Sequence, residues 1–157
     1  MSKYSIKIII TAFLLFVFIV FGLVDALMQS QKTYSSIMGL DINRVYFYTF
    51  FMLIIGCWLL YNKWFVGIGF LSLAAFNNYF IEYIFIHNYF ASVLIYIGII
   101  IDMVFRHKMK WLIPLLIVGI IQGIAFQNSW LYTHYVVGIM EFSALCIGTM
   151  LIVKTMK

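Results

Sequence analysis

Glu141 is the residue of this 157-residue chain whose type and position point most directly to chemistry. It lies near the middle of the last apolar segment, where an ionisable side chain needs a partner or a purpose because hydrocarbon disfavours charge. His134 precedes it by about two helical turns on roughly the same face. The Glu141 carboxyl is predicted either to be protonated and hydrogen-bonded to Gln122 or a tyrosine, or to form a proton-coupled, ligand-coupled or partner-helix contact.

A second set of polar residues lies at the ends of apolar segments, on the side of the membrane where we place His134. Glu82 and His87 belong to this set, together with Asn77 and Asn78. A carboxylate beside imidazole groups suits a metal ion or a proton. The two histidines lack a fixed ligand spacing, so no metal site is predicted, and simple solvation of interfacial residues is the alternative. The candidate ligand-binding residues are Glu82, His87, His134 and Asn78.

The elements that position these residues are predicted to be membrane-spanning helices. Hydrophobic residues make up 66% of the chain and charged residues 10%, and the mean hydropathy is +1.08. Soluble chains have roughly half apolar and a quarter charged residues. The sequence therefore predicts an all-α, polytopic transmembrane helix bundle that forms one domain, with about six spans of about 20 residues or fewer. The predicted spans are residues 8–27, 45–61, 64–83, 89–105, 111–126 and 131–153.

The third predicted span has an alternative interpretation. Asn77, Asn78 and Glu82 make its outer half polar, which is also compatible with a shortened or re-entrant segment. The bundle would then have roughly four or five spans.

The basic residues predict the orientation of the bundle. With six spans, every lysine and arginine except Lys32 and Arg44 falls on the side of the two termini. Cytoplasmic segments carry the excess of basic residues, so the N- and C-termini are predicted to be cytoplasmic. Trp58 and Trp64 then fall at the cytoplasmic interface and Trp130 at the outer one, where aromatic rings prefer to lie.

The net charge of +5 is interpreted through this topology. Basic residues flank the apolar segments instead of forming one patch, so no nucleic-acid partner is predicted. The basic turn at residues 106–110 is predicted to contact anionic lipid.

Two other acidic residues have simpler interpretations. Asp102 precedes Arg106 by four residues, a spacing that permits an ion pair on one helix face. Asp25 ends the first span and is predicted either to reach water at the headgroups or to pair with Lys32 or Arg44.

Gly119 and Gly123 form a GxxxG pattern, which lets two helix backbones approach closely. The pattern is compatible with packing inside the bundle and with a contact to another subunit. Cys57 and Cys146 lie in apolar segments without metal-ligand spacing and are interpreted as packing residues.

No familiar catalytic signature occurs, neither a zinc-protease motif, a nucleophile elbow nor a phosphate-binding glycine loop. The sequence therefore predicts a protein that is not an enzyme and uses no cofactor.

About the first two-thirds of the chain contains two local features: Phe21-Gly22 with Asp25-Ala26-Leu27, and the hairpin Met52 to Leu60, Asn62-Lys63, Gly67 to Ala75. These features resemble the DoxX family of small bacterial four-helix membrane proteins. The resemblance implies a bacterial membrane protein. Asp25 replaces a lysine that family members often carry, and the second span lacks the usual glutamate, so the family's redox role is not carried over. The stretch from residue 111 to 153 would be an addition to the four-helix core.

The resemblance also implies a setting, because small proteins of this type stand beside bacterial sensor kinases as membrane accessory proteins of two-component systems. We therefore expect a non-enzymatic accessory subunit of the plasma membrane that binds and modulates another membrane protein, such as a sensor kinase with a lipoprotein partner. The predicted partner contacts are Tyr34, Asp41, Gly119, Gly123 and Glu141.

The second hypothesis is a small-solute or ion transport component with a polar site near Glu82, His87, His134 and Glu141. A small membrane redox or lipid-modifying enzyme is the third.

Overall fold

The computed structural model describes residues 3–29, 41–77, 86–87, 92–106, 112–128 and 136–156. All the regular structure in these ranges is helical, so the prediction of an all-α helix bundle is confirmed. The helices are α1 (Lys3–Met28), α2 (Ile42–Asn62), α3 (Trp64–Ala75), α4 (Ser92–Arg106), α5 (Leu112–Gln127) and α6 (Val136–Thr155).

Three of these helices are long and apolar enough to cross a membrane, namely α1, α2 and α6. A bilayer core of about 30 Å needs about 20 helical residues, since each residue rises about 1.5 Å. The other predicted spans correspond to shorter helices: α3 has 12 residues, α4 has 15 and α5 has 16. The chain is a helical membrane protein with three full-length candidate spans among its described residues.

The third helix is shorter than the sequence predicts. It ends at Ala75, and the amide of Phe76 closes its last turn by donating to the Ser72 carbonyl oxygen at 2.9 Å. Asn77 follows at once, and an asparagine side chain competes for backbone hydrogen bonds and disfavours further helix. The described residues thus match the shortened alternative, while residues 78–85 lie outside the described ranges.

Glycines allow α2, α3 and α4 to pack closely. A Cβ atom at Gly67 of α3 would lie 2.5 Å from the backbone nitrogen of Leu60 and 2.8 Å from the carbonyl oxygen of Gly56, both in α2. A Cβ atom at Gly69, on the same helix, would lie 2.9 Å from the backbone nitrogen of Ile95 in α4. Only residues without side chains fit such backbone contacts, so α3 lies tightly between its two neighbours.

The start of α1, the α2–α3 junction and the end of α6 lie at one end of the bundle. Lys63 is only 4% exposed, and its Nζ donates to the carbonyl oxygen of Thr155 at 3.0 Å. The Nζ of Lys7 lies 4.9 Å from the centre of the Tyr61 ring. A lysine ammonium near the last carbonyls of a helix is favourable because those groups carry partial negative charge.

Candidate functional site

A half-open cavity of about 110 Å³ lies between the helices of the bundle, with one face of α6 as its longest wall. Glu141, Leu145, Gly148 and Ile152 follow each other along this face at intervals of three or four residues. That spacing places their side chains in one row. Side chains from α1, α3, α4 and α5 complete the wall.

Polar groups gather on the part of the wall near the starts of α4 and α6. The hydroxyl of Tyr96 in α4 donates to Oε1 of Gln122 in α5 at 3.0 Å, and both side chains line the cavity. Glu141 in α6 lines it too. Three helices thus contribute a hydroxyl, an amide and a carboxyl group to one space within an otherwise apolar bundle.

His87 is a further polar residue of the wall and is 2% exposed. Its Nδ1 lies 2.8 Å from the carbonyl oxygen of Phe76. A carbonyl oxygen can only accept, so Nδ1 carries the hydrogen, and in the neutral ring Nε2 is then an acceptor. Burial lowers the pKa of the His87 imidazole below its usual value, which favours the neutral ring at pH 7.

Apart from Thr149, the remaining wall is apolar, and four of its side chains are well buried. Leu15 of α1, Ile99 of α4, Leu115 of α5 and Ile152 of α6 line it, each 5% exposed or less. Gly148 faces Ile99, since a Cβ atom there would lie 3.1 Å from the Ile99 Cδ1 atom. The cavity is therefore amphiphilic, with a polar region near Glu141 and an apolar region towards Ile152.

The structure brings two of the residues predicted from the sequence, His87 and Glu141, to this one cavity. Gln122, named as a candidate neighbour of Glu141, lines it as well, and Tyr96 is the tyrosine found beside them. Sequence reasoning did not single out Tyr96, because a tyrosine near a helix end is normally interpreted as an interfacial anchor. The other ligand-binding candidates, Glu82, His134 and Asn78, lie outside the described residues.

The two glycines of the GxxxG pattern have different surroundings. A Cβ atom at Gly119 would lie 3.6 Å from Cε1 of Tyr96, which is ordinary van der Waals contact inside the bundle. A Cβ atom at Gly123 would meet no atom of the described residues within 4 Å. Gly119 therefore packs against α4, whereas Gly123 lies on an open face of α5.

Asp41, a predicted partner contact, has an internal role in the described structure. It is the N-cap of α2, where its Oδ1 accepts from the backbone amide of Arg44 at 3.0 Å, and it also forms an ion pair with the Arg44 guanidinium. The same guanidinium pairs with Asp25 at 3.0 Å, and the Tyr48 hydroxyl donates to Asp25 at 3.1 Å. Of the alternatives for Asp25, the structure shows the pair with Arg44. Tyr34 lies outside the described residues.

Low pH is expected to destabilise the first turn of α2. The Arg44 backbone amide, followed by the Arg44 side chain, holds the pKa of the Asp41 carboxyl below its ordinary value of 3.8. A carboxyl group whose pKa is lower in the folded state than in the unfolded state stabilises the fold at pH values above its unfolded pKa. This stabilisation is lost as the pH falls through the pKa of the folded state.

Hydrogen exchange of the Arg44 and Val45 amides, followed from pH 6 to about pH 3, measures this effect. Asp41→Asn is the control, because asparagine also caps helices but carries no titrating group. The wild type should lose protection relative to the variant at the acid end. Equal protection throughout would show that Asp41 ionisation does not stabilise α2.

The remaining chemical candidates form no further site among the described residues. Cys57 and Cys146 are free thiols with exposed side chains. The side chains of Asp102 and Arg106 lie outside the described part of the chain, so their predicted ion pair stays a prediction. No group of three or more histidine, cysteine or acidic side chains in the described residues could hold a metal ion.

Comparison of the chain with known protein families, with curated proteins and with solved structures finds no match. The resemblance to the DoxX family therefore stays a prediction, and the site is interpreted from its own geometry.

Proposed function

We propose that the protein is a non-enzymatic, multi-pass subunit of a bacterial plasma membrane that binds another integral membrane protein and biases its conformation. The observation that carries this proposal is the open face at Gly123 of α5. Ile120 and Ile124 beside it are 63% and 57% exposed. A glycine between exposed aliphatic side chains forms a notch into which a partner helix can fit closely.

The position of α5 supports this docking face. Within the described residues α5 packs mainly on α6, so its other side is left to lipid or to a partner. Ile113 and Ile117 extend the apolar surface, being 57% and 51% exposed. Helices associate in membranes chiefly through close van der Waals packing at small residues, which Gly123 provides and a purely aliphatic face does not.

The kind of partner follows from the predicted setting. A sensor kinase with an associated lipoprotein is the partner that the sequence resemblance favours, and its membrane helices would supply the surface that meets α5. Both termini and the Asn62-Lys63 turn face the cytoplasm in this proposal, because that side then carries the excess of basic residues. Anionic lipid would contact the basic turn at residues 106–110.

Gly123→Ile should abolish stoichiometric copurification of the partner, because the added side chain fills the notch. Val93→Ile is the control, since it enlarges an α4 side chain that is 45% exposed. Gly119→Ile is a poorer test because its side chain would also press on Tyr96. Recovery of the partner at wild-type yield with Gly123→Ile would remove α5 from the interface.

A second candidate function, a small-solute or ion transport component, is favoured by the polar cavity. His87 and Glu141 line the same half-open space between the helices, where a proton or small cation could bind. The open face at Gly123 has no part in this function.

Flux measurements on purified protein in sealed vesicles distinguish the two functions. The transport hypothesis predicts potential-driven proton flux, measured with a trapped pH-sensitive dye, that Glu141→Gln abolishes. A docking subunit without transport predicts no flux above that of empty vesicles. Flux that is unchanged in Glu141→Gln would exclude Glu141 from the pathway.

A further inference from the structure

The end of the bundle that holds the start of α1, the α2–α3 junction and the end of α6 is basic. Lys7, Lys63 and Lys154 lie in these elements, and no aspartate or glutamate occurs within twelve residues of any of them in the sequence. The acidic residue that the predicted topology places on this side is Asp102, which is predicted to pair with Arg106. An anion that approaches this end therefore meets a net positive charge.

Lys7 has an ammonium group that is placed to meet such an anion. Its Nζ lies 4.9 Å from the centre of the Tyr61 ring, and the residue is partly exposed. Within the described part of the chain this Nζ has no hydrogen-bond acceptor, and a ring face occupies one side of an ammonium group that carries three donors. The Lys63 ammonium, by contrast, donates to the Thr155 carbonyl oxygen. Lys7 therefore retains donors for a ligand from outside the chain.

A buried pair of hydrogen bonds fixes the backbone beneath the Lys7 ammonium and the Tyr61 ring. Nε1 of Trp58 donates to the Thr11 hydroxyl oxygen at 2.8 Å, and the Thr11 hydroxyl donates to the Lys7 carbonyl oxygen at 2.9 Å. Thr11 is 1% exposed. Trp58 and Tyr61 lie about one turn apart in α2, so these bonds hold the Lys7 turn of α1 against the Tyr61 turn of α2.

The surface next to this pair is apolar and extends along α1. Ile6, Ile9, Phe13 and Phe16 follow each other at intervals of three or four residues, so they share one face of the helix, and each is at least 43% exposed. This α1 stripe begins directly beside Lys7 and continues into the membrane-spanning part of the helix. Acyl chains can lie along such a stripe, whereas a soluble phosphate would meet the ammonium group alone.

We propose that Lys7 and Tyr61 form a binding site for one anionic phospholipid, whose headgroup phosphate accepts from the Lys7 ammonium and whose acyl chains lie along the α1 stripe. Ammonium–phosphate hydrogen bonds are charge-assisted, and basic residues at headgroup depth attract anionic lipid. The site lies on α1 and α2 and requires neither docking at Gly123 nor flux past Glu141, so it stands or falls separately from both proposed functions.

Native mass spectrometry of the purified protein, titrated with lipid in detergent, measures binding of the first lipid molecule. Phosphatidylglycerol is the anionic probe, and phosphatidylcholine with the same chains carries a phosphate but no net charge. Glycerol phosphate is a competitor without acyl chains. We expect phosphatidylglycerol to bind more tightly than phosphatidylcholine, and excess glycerol phosphate not to displace it.

Three variants locate the site. Lys7→Gln should weaken binding of the first phosphatidylglycerol about fivefold, because the phosphate loses its cationic donor. Lys7→Arg keeps the charge and should bind as the wild type does. Lys154→Gln is the matched control, since it removes one positive charge from an exposed residue at the same end of the bundle but on α6. It should bind phosphatidylglycerol nearly as the wild type does.

Three results would overturn the proposal. Equal binding of the two lipids by the wild type would exclude an anionic-lipid site. Equal weakening by Lys7→Gln and Lys154→Gln would indicate diffuse surface charge, and displacement by glycerol phosphate would indicate a site for soluble phosphate. If Lys7→Gln does not fold, Tyr61→Leu removes the exposed ring instead and should also weaken phosphatidylglycerol binding; unchanged binding by this variant would exclude the site.

Discussion

Gly67→Ala is expected to destabilise the bundle by about 2 kcal/mol, although alanine is the better helix former. The added Cβ atom would lie 2.5 Å from the Leu60 nitrogen and 2.8 Å from the Gly56 oxygen, so α2 and α3 must move apart. Overpacking against side chains costs about 1–3 kcal/mol, and backbone atoms yield less readily than side chains. This cost exceeds the gain of up to about 1 kcal/mol from helix propensity.

Gly123→Ala provides the matched control for Gly67→Ala. It makes the same chemical change in another apolar helix, but its Cβ atom meets nothing within 4 Å in the described structure. We expect the control to be neutral or slightly stabilising, because only the propensity term remains. Reversible unfolding of both variants in mixed micelles measures the difference. Equal stability of the two variants would show that α2 and α3 are not packed through Gly67.

Arg44→Met is expected to be the next largest destabilising change. The Arg44 side chain binds both Asp25 and Asp41, and methionine keeps an unbranched chain while removing every donor. Hydrogen bonds to charged groups stabilise a fold more than neutral ones do, although water screens this partly exposed network.

A double-mutant cycle isolates the link between α1 and α2. Asp25→Asn should be much less harmful in an Arg44→Met background than in the wild type, because the interaction it removes is already gone. Tyr46→Phe is the control, since Tyr46 lies in the same part of α2 and is 67% exposed. Additive effects of Asp25→Asn and Arg44→Met would contradict a direct ion pair.

The helical architecture could be predicted from the sequence because apolar segments and polar breaks directly report what lies in the bilayer. The break at Asn77 correctly indicated the weak point of the third span, and the described α3 ends just before it. The exact length of that helix could not be predicted, since apolar Phe80 and Ile81 follow the polar Asn77-Asn78 pair and hydropathy marks no single end before Glu82.

Glycine packing could not be predicted, because an apolar helix does not reveal which of its faces meets a neighbour. The visible GxxxG pattern at Gly119 and Gly123 drew attention to α5, where both glycines have room. The tightest contacts instead involve Gly67 and Gly69, whose spacing matches no common helix-pairing motif. Tertiary structure decides which glycines are needed.

The candidate site could be predicted in part. Glu141 stood out because a carboxyl in an apolar segment is rare and expensive. Its neighbours Tyr96 and His87 come from segments distant in sequence, so only the folded bundle shows them in one cavity. For Asp25, headgroup water and a basic partner could not be distinguished from the sequence, because the choice depends on where α2 begins.

Isolation of the tagged protein from its native membrane in a gentle detergent, with mass spectrometry of every stoichiometric companion, tests the interaction-subunit proposal most directly. We expect an integral membrane protein, a sensor kinase with or without a lipoprotein, to copurify with the wild type and Val93→Ile but not with Gly123→Ile. Recovery of the wild-type protein without any companion would contradict the proposal and leave the cavity at Glu141 as the basis of its function.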